Sequence, residues 1–322
     1  MDQKVTNRRE FIQTIAAGAA ALPLMAQAAA SSSTQSAPAR TPPPIHVTQL
    51  VPNFWLLSGD GGNMGLVAPP PDGGGAGLLL IDTGYLERTA DLIAAVAAAA
   101  PPGAIHTVFN THWHVDHVGG NPALGQAGAV IVAQENVKTR LSETVTVAAM
   151  NNRVFQPLPP AGRPSRTFTT GGKLATGAGA AEYTHFPTAH TDGDSFIFFP
   201  ERNILHCGDL FWNGIYPLID YSTLGWIGGM AAANEKLLAL CDAQTQIIPG
   251  HGALATKDEL ARSHAMLATL HDRLETMVRQ GKSADEAVAA VPSREFDANF
   301  SKGMKPEAFV RMAYTGILHR QG

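Results

Sequence analysis

Cysteine is almost missing from this 322-residue chain: Cys207 and Cys241 are the whole supply. They allow at most one disulfide. Cys207 ends a predicted strand and Cys241 a predicted helix, and nothing in the sequence brings them together, so they read as two buried free thiols. Charge is also scarce, at 16% of residues, and the net balance of −4 shows no basic excess. That argues against a nucleic-acid-binding surface, whose footprint is a cluster of Lys and Arg. No apolar run gives the ~20 residues that a mature membrane span requires. G-x-S-x-G does not occur, which argues against a serine hydrolase. What is present is a chain that is 45% hydrophobic, with 32 glycines and 22 prolines to build loops. Its length suits one large domain or two small ones.

Residues 1–30 stand apart from the fold. Arg8 and Arg9 precede Phe11 and Ile12, a mild alanine-rich run follows, and Ala26-Gln27-Ala28 gives the small-x-small pattern of a cleavage site. The alternative, a frayed amphipathic helix, would carry more charge between Phe11 and Ala30. The pattern reads as an export signal, and its paired arginines resemble the twin-arginine (Tat) type. The expected partner is the Tat export machinery, which passes proteins already folded, and the expected destination is the periplasm. The segment holds three basic and two acidic residues, so its removal takes the net charge from −4 to −5. Residues 31–44, rich in Ser, Pro and Ala, read as a disordered spacer.

Beyond the spacer, short apolar runs alternate with turn signals. Asn53–Leu57, Asn63–Ala68 and Gly77–Asp82 read as strands. Residues 86–100 form a helix that stops at Pro101-Pro102. Ile105–Asn110 is a buried strand, Asn121-Pro122 opens a short helix, Ala129–Ala133 is a strand, and Gln134 to about Ser142 a helix. Thr and Gly between Arg163 and Ala181 suggest hairpins. Three strands follow in "AEYTHFP", "DSFIFFP" and "NILHCGD", then a helix from near Ile227 and a strand in "QIIPGHG". From Lys257 the pattern is helical. Strand-rich, helix, strand-rich, helix is an order that suits two packed sheets with helices outside.

One stretch concentrates chemistry. "THWHVDHVGG", Thr111–Gly120, places three histidines and an aspartate within six residues. His112 and His114 are two apart after a strand, so in extended chain both imidazoles face one ion. Asp116 continues that alternation. His117 is offset by one and faces a second ion, and Gly119-Gly120 permits a sharp turn. Further partners are sought at strand ends, where layered folds gather functional groups: His190, Asp209 and His251. His206 lies within its strand and reads as a core residue or a support. His46, His106, His185, His264, His271 and His319 read as ordinary histidines. Burying three imidazoles and a carboxylate together without a cation would leave costly unpaired polar groups.

"THWHVDH" is the H-x-H-x-D-H signature of the metallo-β-lactamase superfamily, and "TAHTDGDS", "HCGDLF" and "IPGHG" resemble its later metal motifs in the same order. The resemblance covers roughly residues 46–265. It implies an α/β fold, a four-layer αβ/βα sandwich, with the site along one edge of the two sheets. The hydrolase domain is expected over residues 45–265, with residues 266–322 a C-terminal helical extension packed on it. Carried onto this chain, the resemblance gives His112, His114 and His190 to a first zinc, and Asp116, His117 and His251 to a second. Asp209 matches the aspartate that bridges both metals in the glyoxalase II-like branch. Two Zn²⁺ per chain, or other divalent ions, are thus expected.

Two such ions share a water and lower its pKa toward ~7. The expected function is an exported zinc-dependent hydrolase of a small-molecule ester, thioester or cyclic amide, with Asp116 orienting a bridging hydroxide. A β-lactamase is the first alternative, but the well-known zinc β-lactamases have cysteine where Asp209 stands and lysine where Trp212 stands; Cys207 is two residues too early. Their close relative glyoxalase II is also a poor match, because the C-terminal helices offer few basic residues for glutathione. A sulfur or persulfide oxygenase with one iron is the second alternative, and a non-catalytic metal-binding scaffold a third. Trp113 and Trp212, beside the metal motifs, are the candidate pocket residues. Trp55, Tyr216 and Trp226 are either apolar walls or ordinary packing. Gly59–Asn63 is either a flexible hairpin over the site or a structural turn.

Overall fold

The computed structural model describes residues 43–69, 77–176 and 179–321. The export signal at 1–30, with Arg8 and Arg9, and all of the expected spacer except Pro43 and Pro44 lie outside the described residues. Among the described residues, two sheets and a separate hairpin make up the β structure. The first sheet contains β1 (His46–Val51), β2 (Phe54–Ser58), β3 (Met64–Val67), β4 (Leu78–Ile81), β5 (Ile105–Phe109), β6 (Val130–Gln134) and β9 (Arg166–Phe168), in that spatial order. β1 through β4 run as an antiparallel meander, and β4, β5, β6 and β9 are parallel. The second holds β10 (Gly171–Ala175), β11 (Ala180–His185), β12 (Ser195–Phe199), β13 (Ile204–His206) and β14 (Gln246–Ile248), antiparallel except for the parallel pair β13/β14. The hairpin is β7 (Val145–Val147) with β8 (Arg153–Phe155).

Side-chain alternation explains the layering. In β4 every residue is buried, as expected of a strand covered on both faces. Leu79 and Ile81 face the second sheet and meet Tyr183, Ile197, Phe199, Ile204 and Ile248. Leu78 and Leu80 face outward and are covered by Leu92 and Val96 of α1 (Thr89–Ala99) and Leu124 of α3 (Asn121–Gln126). The outer face of the second sheet, Phe196, Leu205 and Ile247, is covered by α5 (Ile227–Leu240), α6 (Lys257–Arg279) and α9 (Pro306–Gln321). The order helix, sheet, sheet, helix is the αβ/βα sandwich expected from the sequence.

Three local expectations change. A boundary at residue 265 falls inside α6, whose capping box at Thr256 and Glu259 starts the helix eight residues earlier than residue 265. The helices after it share one core with β12–β14, so they are a layer of the sandwich rather than an appendage. β1 and the hairpin β7–β8 carry no turn-bounded apolar run; β1 is mostly exposed and completes the edge of the first sheet. Cys207 and Cys241 are both buried and free, as the sequence suggested.

Because α9 is part of the core, truncation inside it is expected to cost as much as a central core mutation. Phe309 is fully buried and stacks on Tyr216 at 4.4 Å. Phe309→Ala is expected to lower unfolding free energy by ~3–5 kcal/mol, read by urea denaturation. A loss under ~1 kcal/mol would mean that the C-terminal helices are peripheral.

Candidate metal centre

The parallel strand pairs β4/β5 and β13/β14 send their C-terminal loops to one edge of the sandwich, and the strand-end residues collect there. After β5 the chain bends at Thr111 and His112, and His112 and His114 still bring their imidazoles into one group, as the sequence reading expected. At His114 (φ −64°, ψ 148°) the backbone turns into the short helix α2 (Val115–Val118). His114 O accepts from His117 N at 2.9 Å and Val118 N at 3.2 Å. Asp116 is therefore placed by a helical turn and not by continued alternation, a correction to the sequence reading. Gly119 and Gly120 do form a turn, but with right-handed φ, −61° and −78°, which any residue could adopt. They are glycines because a side chain at Gly119 would fall into the backbone of Tyr85 and Leu86, and one at Gly120 would press on Thr83.

All seven expected ligands come together. His112, His114, His190 and Asp209 offer atoms within 4.8 Å of one another; so do Asp116, His117 and His251. Asp209 reaches into both groups. Its Oδ2 lies 3.2 Å from His190 Nε2 and 3.7 Å from His112 Nε2, while its Oδ1 lies 3.1 Å from His117 Nε2. Asp116 Oδ2 is 3.2 Å from His251 Nε2 and 3.6 Å from His117 Nε2.

The outward-facing nitrogens show what this cluster is built to hold. His117 Nδ1 donates to Asp82 at 2.8 Å, His190 Nδ1 to the Leu218 carbonyl at 2.8 Å, and His114 Nε2 meets Asp220 at 3.4 Å. Those bonds fix each tautomer: on His114 and His190 the inward nitrogen is a lone pair, while on His117 the inward Nε2 faces Asp209 and carries the proton that a metal would displace. His190 Nε2 and His114 Nδ1 then stand 2.8 Å apart, lone pair to lone pair. His112 Nε2, His117 Nε2 and Asp209 Oδ1 are buried without any hydrogen-bond partner. Converging lone pairs and carboxylates are costly to bury unless a cation lies between them. A divalent metal in each group fits that donor set of imidazole and carboxylate.

The supports were largely invisible in the sequence. Asp82 has left-handed backbone, φ 59°, a cost accepted where the fold over-determines it. Its carboxylate accepts from Thr111 N at 2.8 Å, Thr111 Oγ1 at 2.7 Å and His117. Asp194 accepts from the backbone N–H of His190 and Thr191 at 2.7 and 2.8 Å, which fixes the His190 loop. Burial pushes the Asp194 carboxyl up to about 8. Asp220 is held by Thr223 Oγ1 at 2.7 Å. The one available signal was position: Asp82 ends a strand, as Asp209 and His251 nearly do. His206 is a buried neighbour that accepts from Gly208 N at 3.3 Å, in keeping with a supporting role.

The site is closed on most sides. His112, His114, His117, His190 and Asp209 are buried, whereas Asp116 and His251 keep 14% and 17% of their side-chain surface. Access is from that side. Gly59–Asn63 packs against the ligands: a side chain on Gly62 would lie within the His117 ring, and Asn63 donates to the Pro249 and Gly252 carbonyls at 2.9 Å. Trp212 is half-buried with its ring 4.0 Å from that of His251, as a pocket residue should be. Trp113 is not a wall: it is 1% exposed and packs into a core with Val118, Val137 and Phe155. Trp55 and Tyr216 are likewise core residues.

Electrostatics separates the two groups. Burial and then the neighbouring imidazoles hold His112 well below the usual histidine range, and burial takes His190 down to about 4. Both are neutral, as ligands must be. Burial also opposes charge on His117 and His251, but Asp209 and Asp116 outweigh it, raising His117 well above its ordinary value and His251 to about 9. Burial raises Asp116 while His117 and His251 lower it, leaving it at about 2.

Comparison with known proteins agrees with this geometry. A profile of the metallo-beta-lactamase superfamily matches residues 57–265. A hydroxyacylglutathione hydrolase of Methylococcus capsulatus is 27% identical over 217 residues, 65% of this chain and 73% of that protein. A second, from Rhodospirillum rubrum, is 32% identical over 159 residues, 48% of this chain, which spans about half of it (52%). Among solved structures, a metallo-beta-lactamase from Pontibacter korlensis superposes with a TM-score of 0.53 at 20% identity, covering 70% of this chain and 99% of that one. The stereoselective inverting sec-alkylsulfatase of a Pseudomonas species gives 0.63 at 16% identity, covering 85% and 50%.

The raised histidines set a pH dependence. In metal-free protein the charged His251 contributes stability that is full below its ordinary pKa of ~6.5 and lost as pH rises through about 9. A metal must displace that proton, and the one on His117. The rise in melting temperature on adding zinc to chelator-treated protein is therefore expected to grow between pH 6.5 and 9. An increment that stays constant or shrinks across that window would contradict the assignment.

Proposed function

The chain belongs to the metallo-beta-lactamase superfamily and is a hydrolase-type enzyme by that membership, and from this premise we propose a binuclear zinc enzyme that cleaves an ester, thioester or cyclic amide of a small molecule. The observation that carries the proposal is Asp209, whose carboxylate lies 3.1–3.7 Å from imidazoles of both ligand groups, Oδ1 beside His117 and Oδ2 beside His190, His112 and His251. A carboxylate can span two cations in this way, and a thiol offers one atom. The named relatives, hydrolases of hydroxyacylglutathione, support a thioester within this range.

His112, His114 and His190 would hold one ion, Asp116, His117 and His251 the other, with Asp209 between. When bound, two divalent ions lower the pKa of a shared water toward ~7 and polarise a carbonyl oxygen. The chain's own residues do the rest. Asp116, partly exposed at the open side, is the carboxylate placed to accept a hydrogen bond from an attacking water and hold its orientation. Asp82 and Asp220 keep the His117 and His114 rings turned inward. The Gly59–Asn63 loop, packed over His117, excludes bulk water from that flank. Trp212 offers an apolar face beside His251 for the substrate body.

The test is metal analysis joined to a substrate screen. Close to two zinc ions per chain are expected. Asp209→Ala is expected to lose metal and to lower activity at least about 100-fold, since even supporting residues around a metal are worth roughly 10- to 100-fold. Asp209→Cys is expected to retain metal, because thiolate is a good zinc ligand. One iron per chain with oxygenase activity would overturn the hydrolase reading. Cephalosporin turnover as fast as the best ester or thioester would move the assignment to a β-lactamase.

We propose further that the enzyme is exported to the periplasm through the Tat pathway, on the strength of Arg8-Arg9 and the apolar run behind them. Replacing both arginines by lysine is expected to leave precursor in the cytoplasm, read by fractionation. Normal periplasmic accumulation of that variant would refute the pathway.

A further inference from the structure

The hairpin β7–β8 supplies none of the expected metal ligands, yet its Phe155 is linked to the ligand His114 through Trp113. Asn151 and Asn152 both adopt left-handed backbone, φ 56° and 57°, and carry the chain back so that Arg153 lies opposite Val147. Arg153 and Phe155 are two apart on a strand and share a face. The Phe155 ring stands edge-on to Trp113 at 5.6 Å, and Trp113 packs on His114 at 4.6 Å. The Arg153 guanidinium lies over the Phe155 ring at 4.9 Å. A buried aromatic stack thus runs outward from the ligand His114 and ends in an exposed cation, which explains why the large Trp113 is buried where a pocket wall was expected.

Arg153 lines a cleft of about 240 Å³. Val115, Val118 and Gly119, from the segment that carries Asp116 and His117, form part of its lining, and Tyr85 another part. Tyr85 is also next to the metal ligands: a side-chain atom at Gly61 would touch both its ring, at 3.0 Å, and Asp116 Cβ, at 3.1 Å. Among the described residues, neither the Arg153 guanidinium nor the Tyr85 hydroxyl has a hydrogen-bond or ion-pair partner. Glu87, the acidic residue lining the same cleft, is exposed and makes no ion pair with Arg153. An exposed cation resting on an aromatic face, in one cleft with a tyrosine hydroxyl, is suited to an anionic group arriving from solvent.

We propose that Arg153 and Tyr85 form a carboxylate-recognising subsite, so that the preferred substrates are esters or thioesters carrying a carboxylate a few atoms from the scissile carbonyl. This rests on the hydrolase reading above and narrows its substrate class. A guanidinium paired with a carboxylate gives a charge-assisted hydrogen bond, which a neutral analogue forfeits.

The experiment compares the p-nitrophenyl monoester of glutaric acid with its methyl-capped neutral counterpart on zinc-loaded enzyme. Wild type is expected to prefer the acid by about tenfold or more in kcat/KM, mostly through KM. Arg153→Glu is expected to abolish or invert that ratio, Arg153→Lys to retain part of it, and Tyr85→Phe to reduce it severalfold. Arg294→Glu, an exposed arginine outside the cleft, changes net charge equally and is expected to keep the ratio. Because the readout is a ratio within one preparation, partial misfolding of a variant does not mimic the effect. A wild-type ratio near one, or an unchanged ratio in Arg153→Glu, would overturn the subsite. If neither ester is cleaved, calorimetry judges the subsite alone. Glutarate binding about tenfold tighter than butyrate in wild type, and equally with it in Arg153→Glu, supports it. Equal binding of the two acids by wild type refutes it.

Discussion

The convergence of unpaired lone pairs at one edge of the sandwich is the constraint from which the rest follows. Histidine nitrogens and carboxylate oxygens are packed 2.8–3.7 Å apart. Without a cation the buried His112, His114 and His190 lone pairs repel one another, while protons on His117 and His251 offset the carboxylates; burial removes the water that would relieve the rest. The arrangement persists in the fold because the His112, His114, His117 and His190 imidazoles are tied from behind. Asp82 is the central tie: it binds His117 directly, and through Thr111 it fixes the start of the histidine loop. Its left-handed backbone indicates that local strain is accepted there to aim one carboxylate at three donors.

The layers serve this edge. Parallel pairing of β4 with β5 and of β13 with β14 brings four strand ends to the same side. The core between the sheets, from Phe54 to Ile248, keeps those ends in register. Backbone bonds then join the loops across the gap: Ser195 N to Thr111 O at 2.8 Å, and Asn63 N to Gly250 O at 2.7 Å. Glycines stand wherever the loops touch. A side chain at Gly62 would fall on His117, one at Gly250 on Asp209, and one at Gly225 on the His190 carbonyl. The open flank at Asp116 and His251 is the remaining direction for substrate.

Much of this was legible in the linear chain. Apolar runs bounded by Gly and Pro marked most strands, since a strand covered on both faces has no polar position to spare. Strand ends marked His190, Asp209 and His251 because layered folds put their polar loops there. Where the reading failed, the reason was local. Asp116 looked like the next step of an alternation because sequence spacing does not reveal where extended chain gives way to a helical turn. Trp113 looked like a pocket wall because adjacency in sequence says nothing about which side of the backbone an aromatic ring takes.

The sequence by itself determined the ligand types, their order and the layered α/β architecture, because these depend on residue chemistry and on periodicities of two and 3.6 residues. The geometry that brings the seven residues within reach of one another lies in the tertiary structure, as do the roles of Asp82, Asp194 and Asp220. Those depend on contacts across long separations, such as His114 with Asp220, 106 residues apart. A lone aspartate carries no local signal of the imidazole it will orient; only the packing of two sheets against each other brings the partners within hydrogen-bonding distance.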